Sequence, residues 1–196
     1  MIKILKPKFW DRKNNIFIPI LFLPISFIIQ ILFVLKKIFN TKEKFQIPII
    51  CVGNIYIGGT GKTPISIELL KLLKKIYKKP VFIKKNYPDQ IDEFLLLKQY
   101  GPVYKEDSRS TAIKNAVKDG AKIAILDDGF QDLSIHKNVN IICFNEKQWI
   151  GNGFTIPSGP LREKLTALKM VNCVVINGKR DLDRENYILN INDKIK

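Results

Sequence analysis

Apolar positions fall into three patterns along the chain. From residue 16 to 35 they form one run, "IFIPILFLPISFIIQILFVL", without a charge and with only Ser26 and Gln30 as polar side chains. A bilayer is crossed by a helix of about 20 apolar residues, and a buried core helix normally keeps a polar face that this run lacks. Membrane contact is therefore predicted. After a polar connector, "NTKEKFQ", the pattern becomes short apolar runs, "IPIICV", "VFIK", "AKIAIL", "VNIICF" and "CVVIN", which read as buried strands. Between them Ile65, Leu69, Leu72, Leu73 and Ile76 recur at helical spacing, predicting a helix over 65–77. Further helices are predicted over 92–99 and 108–118, the last stopped by Gly120. Strands alternating with helices imply an α/β domain over 46–196, its sheet mostly parallel and covered by helices on both faces. It is preceded by a membrane-associated helical segment, residues 1–45.

That N-terminal run is longer than a secretory h-region and is followed by Lys36 and Lys37 rather than a small-residue cleavage site, so a cleaved signal is disfavoured. Basic residues flank it on both sides, which leaves the positive-inside rule without a direction. Pro19 and Pro24 are expected to kink or break a straight helix, favouring a segment embedded in one leaflet. Phe9 and Trp10 are expected to anchor it at the interface.

The formal net charge of +15 adds an attraction to polyanions: nucleic acid, an anionic membrane or a phosphorylated substrate. Cys51, Cys143 and Cys173 each lie in an apolar run without a CxxC or Cys/His cluster, a pattern that disfavours a disulfide framework or zinc site and fits a reducing compartment.

The first predicted strand runs into "IYIGGTGKTP" and then a helix, the context a phosphate-binding loop requires. The general pattern asks for glycine where this chain has Tyr56. Gly58, Gly59, Thr60 and Gly61 would present backbone N–H groups to phosphate oxygens, helped by the helix N-terminus. Lys62 would reach the β- and γ-phosphates of ATP, and Thr63 would place its hydroxyl on Mg²⁺. Pro64 falls in the first helical turn, where its missing N–H costs nothing. A second constellation, "AKIAILDDGFQ", is an apolar strand ending in Asp127 and Asp128, where P-loop NTPase-like folds put the carboxylate that holds magnesium. Two carboxylates so close are expected to need a cation beside them. Both a kinase and a switch ATPase would carry these two motifs.

With the addition of "IGNGFTIPSGPLRE", the series resembles the tetraacyldisaccharide 4'-kinase family, the lipid A 4'-kinases of Gram-negative bacteria, in motif order and spacing over roughly residues 5 to 180. In that family, too, the position of Tyr56 is commonly not glycine. The resemblance implies a P-loop kinase at the cytoplasmic face of the inner membrane, using Mg·ATP to phosphorylate the 4'-hydroxyl of a disaccharide lipid precursor. A lipid acceptor accounts for both the apolar segment and the basic surface, and nucleic acid is not needed as a partner. "QIDEFLLL" resembles the family's GDEPLLL stretch and implies that Asp92 is the base for the acceptor hydroxyl; a helix N-cap is its alternative role. Arg109 and Arg162 match family arginines and are implied to neutralise the transferring phosphoryl group or grip the lipid phosphate; exposed surface arginines are the alternative. Glu163 would orient Arg162 or start a helix.

The chain departs from the family in "KKNYPDQ", where Lys85 and Asn86 stand in place of an arginine and a glycine, and in Asp132 after DDGFQ. The family also continues into a second lobe with a histidine that supports the catalytic acid. His136, the one histidine here, does not match it and is expected at the surface. The resemblance thus covers the N-terminal lobe, with a separate chain among the ways the second could be supplied. Alternatives to an active kinase are a membrane-associated P-loop ATPase or switch and a nucleotide-binding remnant.

Overall fold

The computed structural model describes residues 6–11, 17–76, 79–87 and 90–196. Six parallel strands form one sheet in the order β3-β2-β4-β1-β5-β6. They are β1 (Ile49–Gly53), β2 (Pro80–Lys85), β3 (Val103–Glu106), β4 (Ile123–Asp127), β5 (Val139–Asn145) and β6 (Cys173–Asn177). The helices are α1 (Phe17–Phe39), α2 (Lys62–Ile76), α3 (Ile91–Lys98), α4 (Arg109–Lys118) and α5 (Leu182–Leu189). The three predicted helices correspond to α2, α3 and α4; the last residue of the 65–77 prediction lies outside the described residues.

Successive residues of a strand face opposite sides, and the core divides accordingly. Ile50, Val52, Phe82 and Ile125 pack with Ile67, Leu70 and Leu73 of α2 and Leu97 of α3. Ile49, Cys51, Ile83 and Leu126 pack with Ala112, Ile113 and Ala116 of α4, and with Ile188 of α5 on the same side. Strands buried on both faces are continuous apolar runs, which is why β1 and β4 were legible as sequence. The edge strand β3, "VYKE", is half-buried throughout and carries no such run, so it went unpredicted. α5 was also missed.

α1 inverts the usual arrangement. Its polar residues Ser26 and Gln30 are buried, whereas Phe17, Leu21, Phe27, Leu32, Ile38 and Phe39 are largely exposed. Ser26 Oγ donates to the Thr155 carbonyl at 3.0 Å, accepts from the Ser158 N–H at 3.1 Å and shares a hydrogen bond with the Ser158 hydroxyl at 2.8 Å. Helical structure continues through Pro24, which removes one backbone hydrogen bond without ending the helix; Pro19 lies in the first turn, where no intrahelical bond is lost. Trp10 corrects its assignment as an interface anchor. It is buried, with its indole N–H donating to the Pro157 carbonyl at 2.9 Å, while Phe9 stacks on Phe22 of α1.

Candidate active site

The order of strands places the C-terminal ends of β1 and β4 side by side, with Val52 opposite Asp127. The loop after β1 and the acids after β4 therefore meet at the sheet edge where open α/β folds bind ligands. Their approach is tight: a Cβ on Gly53 would lie 2.6 Å from Cβ of Phe130, so only glycine lets "VGN" and "DDGF" pack.

Between Gly53 and the start of α2, residues 54–61 form the glycine loop. Gly61 has φ +82°, a left-handed conformation that favours glycine. Asn54 Nδ2 donates to the Gly58 carbonyl at 3.1 Å and Asn177 Nδ2 to the Thr60 carbonyl at 2.5 Å, bracing the loop from both sides. A Cβ built on Gly58 or Gly59 meets nothing within 4 Å, so the backbone there is open to a ligand. The buried Thr60 Oγ1 and Asn54 Oδ1 have no hydrogen-bond partner among the described residues, as expected of a polar cradle.

Tyr56 does not face this cradle. It is fully buried and pairs with Leu161 in an antiparallel bridge, flanked by Arg162 N–H to the Ile55 carbonyl (2.7 Å) and Ile57 N–H to the Pro160 carbonyl (2.9 Å). Its hydroxyl donates to Asp11 at 3.0 Å and also contacts Lys6. The residue in the glycine position thus ties the loop to "GPLR", about a hundred positions further on.

That pairing delivers Arg162 to the acids. Its Nη1 donates to Asp128 Oδ1 at 3.1 Å and to Gln131 Oε1 at 3.2 Å, while Lys62 Nζ lies 3.7 Å from the same Asp128 oxygen. Asp128 has φ +56°, a left-handed conformation that Asp adopts more readily than most residues and that recurs at functional sites. Arg109 is buried, not exposed at the surface: Nη2 donates to the Asp128 carbonyl at 2.8 Å and Nη1 to Asp132 at 3.2 Å. Burial alone would raise the Asp132 pKa, but hydrogen bonds from Ser134 and the Arg109 charge hold it below the ordinary aspartate value. Glu163 is buried against Gln131, and desolvation raises its pKa. It neither bonds Arg162 among the described residues nor starts a helix.

Asp127 points elsewhere. It is 1% exposed, accepting from Ser66 Oγ on α2 at 3.0 Å and from Lys84 Nζ on β2 at 3.0 Å. The expected repulsion between the two adjacent carboxylates is thus resolved by separate protein cations, Lys84 for Asp127 and Lys62 with Arg162 for Asp128. Lys84 also donates to Glu93 at 2.6 Å. Asp92, exposed in the first turn of α3, hydrogen-bonds none of the other candidate groups among the described residues. Sequence alone does not single out Ser66 or Lys84; the one signal is a lysine in an otherwise apolar strand run.

A cleft of about 460 Å³ opens beside these groups, lined by Lys36 at the end of α1, Lys85, Tyr87, Arg109, Asp128 and Arg162. Asp128 is the carboxylate at the cleft, an oxygen donor of the kind that suits a hard cation, whereas Asp127 is taken up by Ser66 and Lys84; among the described residues no cluster of three or more His, Cys, Asp or Glu forms a protein cage. Magnesium is typically held this way, by one or two carboxylates together with substrate phosphates.

The family model described as tetraacyldisaccharide-1-P 4'-kinase (LpxK) matches residues 18–194. A tetraacyldisaccharide 4'-kinase of Pelagibacter ubique is 44% identical, over 97% of this chain and 63% of its own length. One from Rickettsia canadensis is 35% identical over 83% of this chain and 54% of its own. The chain thus spans little more than half to three fifths of these curated relatives. Among solved structures, Aquifex aeolicus LpxK in complex with ATP superposes with TM-score 0.70 at 25% identity, covering 81% of this chain and 58% of that one. The GDP complex of the signal recognition particle 54 kDa protein from Aeropyrum pernix shares the fold, with TM-score 0.53 at 12% identity over 75% of this chain and 39% of that one.

Proposed function

Since the chain belongs to the tetraacyldisaccharide-1-P 4'-kinase family, we propose that it transfers the γ-phosphate of ATP to the 4'-hydroxyl of a tetraacyldisaccharide 1-phosphate in lipid A synthesis. The observation that carries this reading is the pairing of "GPLR" with the glycine loop, which brings Arg162 and Lys62 to one carboxylate, Asp128. A generic switch ATPase has no reason to carry the "GPLRE" segment that makes this pairing.

Phosphoryl transfer is mostly positioning and charge stabilisation. In this reading the amides of Gly58 to Gly61 cradle the phosphates, and Lys62 swings from Asp128 to the β- and γ-oxygens. Arg109 and Arg162 line the cleft and offset charge on the transferring group or hold the lipid phosphate. Asp92 orients the 4'-hydroxyl and accepts its proton. Thr63 and Asp128 would hold Mg²⁺, which neutralises phosphate charge when bound, while Asp127 is taken up by Ser66 and Lys84.

The membrane part of the proposal rests on α1. Its outward apolar surface and inward Ser26 and Gln30 fit a helix lying against lipid with its polar stripe on the protein. Lys36 and Lys37 in its last turn would meet anionic headgroups beside the cleft. Residues 1–45 then form the membrane-associated segment and 46–196 the kinase domain, at the cytoplasmic face of the inner membrane.

Transfer of labelled γ-phosphate to tetraacyldisaccharide 1-phosphate in mixed micelles tests the reading. Lipid-dependent transfer, lost in Lys62→Met, is expected. ATP hydrolysis indifferent to the lipid would favour the switch instead, and nucleotide binding without transfer would reject kinase activity for this chain alone.

A further inference from the structure

Lys84 is 1% exposed in the last part of β2, on the same face of the strand as Phe82, towards α2 and α3. A buried ammonium group is costly unless paired, and this one has two carboxylates on different elements: Asp127 at 3.0 Å on β4 and Glu93 at 2.6 Å on α3. Asp127 in turn accepts from Ser66 of α2, the helix that begins at Lys62. A continuous path of hydrogen bonds therefore runs from the phosphate-loop helix through Ser66, Asp127, Lys84 and Glu93 to the first turn of α3.

The path matters because, among the described residues, α3 has few other holds at that end beyond Phe94 under the Lys105 ammonium. Leu97, near its C-terminus, is its buried residue, while Ile91 and Leu95 are more than half exposed. Its N-cap, Gln90, makes no side-chain capping bond, so the amides of the first turn lack that support. Few buried contacts and an uncapped end describe a segment that opens locally at low cost. The Lys84–Glu93 pair sits in that turn, one residue after Asp92.

We propose that Lys84 is a positioning residue. Its ammonium group clamps the first turn of α3 to the acid of β4 and thereby holds Asp92 in register with the phosphate loop. The clamp also commits Asp127 to an internal cation, leaving Asp128 as the acid turned towards Lys62 and Arg162. The role rests on the kinase reading for what Asp92 does, but the clamp itself does not.

Glu93→Ala is the cleaner test, because it removes the acceptor on α3 and leaves Lys84 paired with Asp127. Hydrogen–deuterium exchange at the hydrogen-bonded amides of residues 94–97 should accelerate by about fivefold or more, with the phosphate-loop amides unchanged. Lipid-dependent transfer should lose about 10- to 100-fold in kcat with KM for ATP within about twofold of the unsubstituted chain. Lys84→Arg should keep much of the exchange protection, and Lys84→Met should lose it if it folds. Unchanged exchange in Glu93→Ala overturns the clamp; accelerated exchange with kcat unchanged overturns the positioning role. If the unsubstituted chain transfers no phosphate, the kinase reading has failed separately, and exchange alone decides the clamp.

Discussion

Replacing Tyr56 tests whether the loop's departure from the general phosphate-loop pattern is a matter of architecture or of ligand binding. The side chain is fully buried, spans from the glycine loop to the N-terminal residues, and has its hydroxyl on Asp11 and the Lys6 ammonium 4.7 Å from its ring centroid. Removing a buried aromatic side chain costs about 3–5 kcal/mol, so Tyr56→Ala should lower stability by that amount. In a domain of this size each kcal/mol is about 2–4 °C of Tm, giving a fall of about 6–20 °C. Tyr56→Phe keeps the ring and loses the hydroxyl's hydrogen bonds to Lys6 and to the half-exposed Asp11 carboxylate, which remain paired with each other, about 1 kcal/mol. Because the ring faces away from the cradle, Tyr56→Phe should leave ATP affinity within about twofold of the parent, where a lost charged contact would cost tenfold per 1.4 kcal/mol. Thermal unfolding and calorimetric titration with ATP measure the two quantities. A Tyr56→Ala variant as stable as the parent, or a Tyr56→Phe variant with ATP affinity reduced tenfold or more, would refute the assignment.

Three further outcomes follow from the same geometry. Ser26→Ala leaves the buried Ser158 N–H without its acceptor and should cost about 1–3 kcal/mol, read as a lower urea midpoint in mild detergent, whereas Ile28→Ala on the exposed face should cost far less. The Asp132 pKa is held down in the folded state, so its stabilisation is present above the ordinary aspartate value and is lost as pH falls through the folded pKa. Tm measured against pH should show the gap between parent and Asp132→Asn closing below about pH 4. Burial pushes the Cys51 thiol up to about 11 and the Cys143 thiol up to about 12, so iodoacetamide at neutral pH should modify the partly exposed Cys173 first and reach the other two only on unfolding.

What the sequence determined by itself was whatever depends on neighbours along the chain. Unbroken apolar runs become strands buried on both faces, helical spacing places α2 and α4, and glycines before Gly-Lys-Thr mark a loop that opens into a helix. An apolar strand ending in Asp127 and Asp128 marks the acid edge of the sheet, and the uncharged run of residues 16 to 35 becomes a helix with apolar side chains outward. The half-buried β3, "VYKE", was illegible because Lys105 and Glu106 break the apolar run that the other edge strand, β6, keeps.

Tertiary structure decided which charges share a site, since a lysine in a strand declares nothing about the carboxylates it meets across the sheet. Folding divides adjacent Asp127 and Asp128 between different cations, buries Arg109, and brings Arg162 to Lys62 through backbone pairing around Tyr56. It also turned Ser26 and Gln30 inward, because their hydrogen-bonding groups find partners or shelter on the protein and the rest of α1 offers only apolar surface. Periodicity sets the elements; the low dielectric between them sets the partners, because there an unpaired charge or hydroxyl is too costly to leave alone.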